Sequence, residues 1–288
     1  MKITKRIKVK TPAKINLTLE VLNRREDGFH NIRSIMQAIN LYDYLTFELT
    51  PCKGIKTELS GNSLEIPYNE SNIVYKAIVK FLEKTKINNV KLSVYIEKHI
   101  PVSAGLAGGS TNAAGVFFAL NRLFNNVLSE KELDELCASL GSDLNFCLHG
   151  GCALCTSRGE ILEKLPYYKQ SVSLIKPKEL GISAKEAYMK FAELEDKSNP
   201  DNTTKLSALL KKGKFDKSLI YNSLEKALFP SYPQLQQIKD NIESSLMSGS
   251  GSTFFVLSPE ITQTIDTSEY EIFENQMAID TGVETADE

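Results

Sequence analysis

A glycine-rich stretch, PVSAGLAGGSTNAAG at residues 101–115, separates two segments whose apolar residues repeat with different periods. Before it, apolar side chains occupy every second position of residues 90–98, which predicts a half-buried strand. After it, they recur at helical spacing from Ala113 to Phe124, and Ser110 or Thr111 is placed to cap that helix. Glycines in such a turn serve a tight bend, close helix packing, or a backbone laid against a ligand.

The rest of the chain mixes strand and helix patterns. Residues 11–22 alternate as a strand does, residues 42–49 are a further strand candidate, and residues 130–140 predict a helix that ends at Gly141. The remaining predictions are strands at 171–175 and 254–257 and helices at 185–194, 206–228 (broken near Gly213) and 234–245. A change in composition near residue 165 predicts two domains, residues 1–165 and 166–288.

The composition is that of an ordinary globular protein: 288 residues, 42% hydrophobic and 24% charged, with a formal net charge of −2. This balance gives no global field that would attract nucleic acid or an anionic membrane. No run approaches the ~18 apolar residues of a membrane span, and the basic N-terminus lacks the apolar stretch of a signal peptide. We therefore expect a cytoplasmic protein with no nucleic-acid or membrane partner.

The cysteines raise the question of a metal site. Their number, five, is odd, which predicts free thiols in a chain without a secretory signal. Cys147, Cys152 and Cys155 lie close to His149, a combination that suits zinc. No second cysteine pair completes a structural site, and a glycine pair interrupts the segment as a turn would. Packing of buried thiols is the favoured interpretation, with a metal site as the alternative.

The order strand, glycine-rich turn and helix N-terminus also creates anion sites, because unpaired N–H groups and the helix dipole converge there. The usual phosphate motifs are absent. No lysine follows Gly108 or Gly109, and there is no G-x-G-x-x-G. From the residues alone, a phosphate site and a plain packing turn both stay open.

Three motifs, in order, resemble those of the GHMP kinase superfamily. IPVSAGLAGGSTNAAG resembles its central glycine-rich loop, while TPAKINLTLEV near the start and LMSGSGSTFFVL near the end resemble its first and third motifs. The resemblance covers residues 8–257. It implies an α+β fold, with an N-terminal, ATP-binding domain like ribosomal protein S5 domain 2, a C-terminal ferredoxin-like domain, and the site in the cleft between them.

Further segments narrow the resemblance. NRREDGFHNIRSIMQAINLYDYL, LGSDLNFCLHGGCAL and KPKELGISAKEAY resemble the branch whose acceptor is a cytidine diphosphate-linked methylerythritol. This implies an enzyme that transfers a phosphoryl group from ATP, with Mg²⁺, to a hydroxyl of a small-molecule substrate, with no covalent intermediate. Monomer and homodimer both stay open. The other hypotheses are a different GHMP kinase, such as homoserine or mevalonate kinase, and a catalytically silent relative that senses a ligand.

The resemblance assigns Asp143 as catalytic base and Lys14 as its partner. An alcohol must lose its proton as it attacks the γ-phosphorus, and a fixed carboxylate can accept that proton. An ammonium group beside it favours the ionised carboxylate and attracts charge on the phosphoryl group. By spacing alone, Asp143 is more simply a turn former or helix cap, and Lys14 a residue of a solvated strand face.

The resemblance also implies nucleotide-binding residues. The triphosphate would be held, mostly through backbone N–H groups, by Gly105, Gly108, Gly109, Ser110 and Thr111. The Ser110 hydroxyl would also contact Mg²⁺, and Asn72 matches a position on the adenosine side. Ala107 departs from the family pattern, since it replaces a usual loop glycine.

A third set of residues would bind the acceptor's base. Phe29 and Tyr188 would stack on the cytosine, and His30 would hydrogen-bond its edge. The alternatives are core packing for the two aromatic residues and a turn position for the histidine.

The phosphate end of the acceptor involves the strand of Lys14 and a second glycine-rich loop. Asn16 shares a strand face with Lys14 and would hydrogen-bond the substrate. Gly249 and Gly251 belong to the second loop, which the resemblance places at the substrate's phosphate end and for which a tight turn is the alternative. Asn222 matches a family asparagine of structural role.

Overall fold

The computed structural model describes residues 5–261 and 268–287. Its strands are β1 (Lys5–Arg24), β2 (His30–Pro51), β3 (Ile55–Gly61), β4 (Val90–Glu97), β5 (Cys152–Ser157), β6 (Ile161–Leu165), β7 (Ser171–Pro177), β8 (Tyr221–Asn222), β9 (Leu246–Met247), β10 (Phe254–Val256), β11 (Tyr270–Met277) and β12 (Glu284–Thr285). Its helices are α1 (Ile73–Thr85), α2 (Gly108–Leu123), α3 (Glu130–Leu140), α4 (Leu144–His149), α5 (Ala184–Ala192), α6 (Asn202–Leu210), α7 (Leu224–Leu228) and α8 (Pro233–Asn241).

The first sheet is built around the antiparallel pair β1 and β2. Its main path runs β12-β1-β2-β4-β3, with β5 on β2, β6 on β5 and the short β8 parallel to β1. One face packs against α1 and α2, where Phe47, Phe81 and Phe117 are fully buried. The strand predicted at residues 90–98 is confirmed, with every second residue of β4 buried in this core.

Strand β1 is buried on both faces, with residues 11–21 buried without interruption. Ile15 and Leu17 pack into the core shared with the second sheet. Lys14 and Asn16 point the other way, and they too are nearly inaccessible to solvent. The period of two therefore predicted the strand correctly, while its polar face is covered by protein instead of water.

The second sheet is antiparallel, in the order β11-β7-β10-β9. One of its faces, which includes Ile175 and Phe254, packs against α5, α7 and α8. The opposite face, which includes Leu174 and Phe255, packs against β1 and β2. The α+β fold is thus confirmed. The boundary at residue 165 stays a prediction; β8 and β12 lie beyond it in sequence yet pair with β1.

Two predicted elements were wrong in extent. The strand at 42–49 is the last part of β2, whose first half is held by pairing with β1 on one edge and β5 on the other. The helix predicted at 206–228 stops at Leu210; a 3-10 turn at Lys217–Leu219 and then β8 follow before α7 begins. Pairing of β8 with β1 outweighs the local helical pattern there. No helix in the described ranges is long and apolar enough to cross a membrane.

All five cysteines are free, as predicted. Four of them are buried, and burial raises the pKa of Cys152 to about 12 and that of Cys147 still further. These thiols are therefore protonated packing groups at neutral pH. Within residues 5–261 and 268–287, no three His, Cys, Asp or Glu side chains are grouped as metal ligands would be.

The start of α2 differs from the prediction. Its N-cap is Ala107, in the left-handed conformation (φ 60°, ψ 26°) and without a side-chain cap, whereas Ser110 and Thr111 lie inside the first turn. The first N–H groups of any α-helix lack an intrahelical partner, and no capping side chain satisfies them here. The helix thus begins with donors available to a ligand.

The left-handed Ala107 makes a prediction about stability. A left-handed conformation destabilises an L-residue by ~1–2 kcal/mol, and glycine avoids this strain. Glycine also loses more conformational entropy on folding, which offsets ~0.5–1 kcal/mol of the gain. Ala107→Gly should therefore raise the free energy of unfolding by about 0.5–1 kcal/mol in urea denaturation. Ala138→Gly, inside α3, is the matched control and should lower it by up to about 1 kcal/mol. A loss of stability in Ala107→Gly would contradict this account of the loop.

Candidate active site

A cleft of about 1250 Å³ opens beside β1, between the two glycine-rich loops and α5. Its walls come from β1, the turn before β2, the glycine-rich loop, the start of α2, α5 and the loop after β9. Twelve of the sequence-predicted site residues line it: Lys14, Asn16, Phe29, His30, Asn72, Gly105, Gly108, Gly109, Ser110, Asp143, Tyr188 and Gly249. Thr111 and Gly251 do not.

At the floor of the cleft lies the ammonium group of Lys14. The side chain is only 5% exposed; Nζ donates to Asn16 Oδ1 at 2.6 Å and lies 3.5 Å from Asp143 Oδ2. The solvated strand face that spacing alone suggested for Lys14 is therefore wrong. A cation buried this deeply needs paired partners, and the amide oxygen and carboxylate supply them.

The orientation of Asn16 is fixed by a chain of hydrogen bonds. Its Nδ2 donates to Ser34 Oγ at 2.8 Å, and that hydroxyl donates to the Thr18 carbonyl at 2.6 Å. Because the amide nitrogen is committed to β2, the amide oxygen must face Lys14. The strand pair β1–β2 thus aims an acceptor at the ammonium group.

Asp143 lies in the turn between α3 and α4, directly before Leu144. Its backbone occupies the N-cap position of α4, yet its side chain makes no capping hydrogen bond. The helix-cap interpretation is therefore wrong. The carboxylate faces Lys14 and stays 28% exposed to the cleft, so a substrate group can reach it.

The two glycine-rich loops pack directly against each other. Gly105 has φ 74°, and a Cβ there would lie 2.0 Å from the Ser248 carbonyl oxygen. Ser248 Oγ donates to the Gly105 carbonyl at 3.1 Å, and Thr253 N–H donates to the Ala104 carbonyl at 3.3 Å. Only glycine permits this backbone approach, which brings the second loop to the first.

The start of α2 presents its backbone to the cleft. Gly108, Gly109 and Ser110 line the wall. A Cβ on Gly109 would meet only Ile73 Cγ2, at 3.7 Å, so this position is open. Unpaired N–H groups at a helix N-terminus bind anions.

Thr111 and Gly251 lie behind the cleft wall. Thr111 is fully buried, and its N–H donates to the Ala107 carbonyl at 2.9 Å as a helical hydrogen bond. Gly251 N–H donates to the Ser248 carbonyl at 2.9 Å and closes the second loop. The structure therefore brings neither residue to the position that the sequence predicted.

Asn72 lines the cleft with its polar groups already engaged. Its side-chain oxygen accepts from Val74 N–H at 2.8 Å, which caps α1, and its Nδ2 donates to the Pro67 carbonyl at 2.5 Å. The residue fixes the start of α1 beside the cleft.

The sequence pattern did not predict a buried hydrogen-bond network around Asp43, beneath the glycine-rich loop. Asp43, fully buried, accepts from the N–H groups of His99 (2.7 Å) and Ile100 (2.8 Å), from Asn112 Nδ2 (2.8 Å) and from the Lys98 ammonium group. The carboxylate thus ties the segment that enters the loop to the helix that leaves it.

A sequence signal for this network existed. Asp43 is in phase with Leu45 and Phe47, which face the core from the same side of β2. A charged residue at an inward position of a strand indicates a buried pair.

The three predicted base-binding residues lie at one end of the cleft, in a different arrangement from the predicted one. The His30 ring stacks on Tyr188, with centroids 5.6 Å apart and an interplanar angle of 20°. Phe29 is half exposed, and the Arg158 guanidinium lies 5.1 Å from its ring centre. Burial lowers the pKa of His30, helped by the charges of Arg24 and Lys197, so its imidazole is neutral at pH 7.

Comparison with known proteins identifies the family. A family model described as "GHMP kinases N terminal domain" matches residues 72–151. A 4-diphosphocytidyl-2-C-methyl-D-erythritol kinase of Carboxydothermus hydrogenoformans is 40% identical over 261 residues, covering 87% of this chain and 88% of that protein. A protein of the same name from Clostridium acetobutylicum is 36% identical over 253 residues, covering 86% and 89%.

Solved structures agree on the fold. A crystal structure of a 4-(cytidine 5'-diphospho)-2C-methyl-D-erythritol kinase superposes with a TM-score of 0.70 at 26% identity, covering 96% of this chain and 99% of that one. A homoserine kinase from Cytophaga hutchinsonii superposes with a TM-score of 0.75 at 18% identity, covering 98% and 97%. The similarity to the homoserine kinase, at 18% identity, shows the fold alone. The relatives at 40% and 36% identity indicate the branch of the superfamily to which the chain belongs. The chain belongs to the 4-diphosphocytidyl-2-C-methyl-D-erythritol kinase family of the GHMP kinases.

Proposed function

We propose that this kinase transfers the γ-phosphoryl group of ATP to the 2-hydroxyl of 4-diphosphocytidyl-2-C-methyl-D-erythritol, in the non-mevalonate route to isoprenoid precursors. The names of its relatives support this acceptor. The observation that carries the proposal is the Lys14–Asp143 pair, which lies in one cleft with a helix N-terminus and the His30–Tyr188 stack. The anion-binding helix end, the carboxylate that would act as base, and the aromatic residues that would hold a pyrimidine all line this cleft, which supports the proposal.

The start of α2 would hold the triphosphate. The N–H groups of Gly108, Gly109 and Ser110 have no helical partner, and the helix dipole adds positive potential at that point. The Ser110 hydroxyl lines the cleft and fits Mg²⁺, which uses few protein oxygens when it is bound mainly through phosphates. The ion, when bound, would neutralise charge on the phosphate oxygens.

Asp143 would accept the proton of the acceptor hydroxyl as that oxygen attacks the γ-phosphorus. Lys14, whose Nζ lies 3.5 Å from that carboxylate, would attract the negative charge of the transferring group. Both groups are held by the fold before any ligand arrives, so catalysis rests on positioning and charge stabilisation. The oxygen attacks phosphorus directly, and no residue forms a covalent intermediate.

The cytosine would bind among Phe29, His30 and Tyr188. The His30 ring lies on the Tyr188 ring. A cytosine that stacks on this face of Tyr188 must displace the imidazole, or it stacks on the imidazole as a third ring. A neutral imidazole can both donate and accept, which suits the edge of a pyrimidine.

The base role predicts a loss of turnover in Asp143→Asn. ADP release from ATP and Mg²⁺ with the cytidine substrate should fall about 10²–10⁴-fold, because the amide cannot accept the proton. Asp134→Asn is the matched control: Asp134 is also partly exposed and paired, with His149 at 2.6 Å, but lies outside the cleft. Equal activity in the two folded variants would remove Asp143 as base.

The base site predicts a selective effect of Tyr188→Leu. The KM for the cytidine substrate should rise about tenfold or more, since stacking of a base on an aromatic ring contributes ~1–3 kcal/mol. The KM for ATP should stay the same. Tyr95→Leu, on the outer side of β4, is the control and should change neither. A rise in the KM for ATP alone would place Tyr188 at the nucleotide instead.

A further inference from the structure

Asn222 is a buried side chain with every contact directed at backbone. It lies in β8, next to Leu19 of β1, is 2% exposed and does not line the cleft. Its Nδ2 donates to the carbonyls of Met247 (2.7 Å) and Gly249 (2.8 Å), and its Oδ1 accepts from Leu224 N–H at 2.9 Å. The amide nitrogen therefore holds the end of β9 and the glycine-rich loop that follows it.

Holding the Gly249 carbonyl also fixes the next N–H group. The Gly249–Ser250 peptide is trans, so the Ser250 N–H points opposite to the Gly249 carbonyl. The carbonyl points into the protein toward Asn222, while Gly249 and Ser250 both line the cleft. The Ser250 N–H has no acceptor among the described residues. It is a donor left available on the cleft side.

This peptide lies beside the catalytic pair. A Cβ on Gly249 would be 3.1 Å from Lys14 Nζ and 3.3 Å from Asn16 Oδ1. Negative charge gathers near these groups during phosphoryl transfer, so an N–H group on the cleft side of this peptide would be placed to stabilise it. Such a donor is effective only if its direction is fixed in advance, because reorientation would cost part of its benefit.

We propose that Asn222 is a positioning residue, which anchors the Gly249 carbonyl so that the Ser250 N–H donates to the transferring phosphoryl group. The inference rests on the proposed function for the identity of the phosphoryl acceptor. The hydrogen bond from the Ser250 N–H concerns only the phosphate groups of ATP. Asn222 touches neither substrate and acts only through the loop.

The kinetic test compares Asn222→Ala with Asn121→Ala. Asn121 is also a buried asparagine that bonds backbone twice, to Leu128, but at the far end of α2 from the loops. Asn222→Ala should lower kcat about 10²-fold, the scale of a lost transition-state donor, with the KM for ATP within threefold. Asn121→Ala should keep the wild-type kcat. Equal kcat values for the two variants would overturn the proposal.

A second readout does not depend on the acceptor. In ¹H–¹⁵N spectra of the wild type, the Ser250 amide proton should shift downfield when the non-hydrolysable analogue AMP-PNP binds with Mg²⁺. In Asn222→Ala this shift should be lost while the signals of Gly108 and Gly109 still respond. No Ser250 shift in the wild type would refute the donor. Absence of turnover with the cytidine substrate would count against the proposed function and leave this spectral test decisive for Asn222.

Discussion

The buried ammonium group of Lys14 is the constraint on which the rest of the site depends. A charge this far from water is stable only with partners at fixed positions. Asn16, turned by Ser34, provides one partner, and Asp143, held between α3 and α4, provides the other. Segments far apart in sequence must therefore meet at one point, and we propose that the same pair that satisfies the charge also provides the chemistry of proton removal.

The buried charge also constrains the glycine-rich loops, whose glycines have different roles. At Gly105 the Ser248 carbonyl oxygen occupies the space where a Cβ would lie. A Cβ on Gly249 would make tight contacts with the Gly105 carbonyl oxygen at 3.0 Å and with Lys14 Nζ at 3.1 Å. Gly109 instead faces open space at the start of α2, where a ligand can approach the N–H groups. Residues 101–115 therefore combine close packing at Gly105 with an open position at Gly109, where we propose that the phosphates bind.

The local sequence pattern was sufficient to predict strands and helices, but it could not predict which of their faces other elements would cover. Periodicity predicted β4 and α3 well, since each has one buried face. It could not tell that Lys14 is buried, because the cover over that face of β1 comes from elements distant in sequence. The only sequence signal for the Asp43 network was the inward position of Asp43 in the alternating pattern of β2. The stack of His30 on Tyr188 depends on how α5 packs against the turn before β2. The family resemblance predicted the site residues; the structure gives the distances between them and leaves Thr111 and Gly251 outside the cleft lining.

The most direct measurement is single-turnover phosphoryl transfer in Lys14→Met, with ATP affinity determined separately. Met keeps the unbranched shape and most of the length of the side chain, while it removes the charge and the hydrogen bond to Asn16. If the buried cation serves the transfer step, that step should slow by about 10²–10³-fold while the Kd for ATP changes little, because the triphosphate is held by α2. A folded Lys14→Met that transfers phosphate at the wild-type rate would contradict the account at its centre.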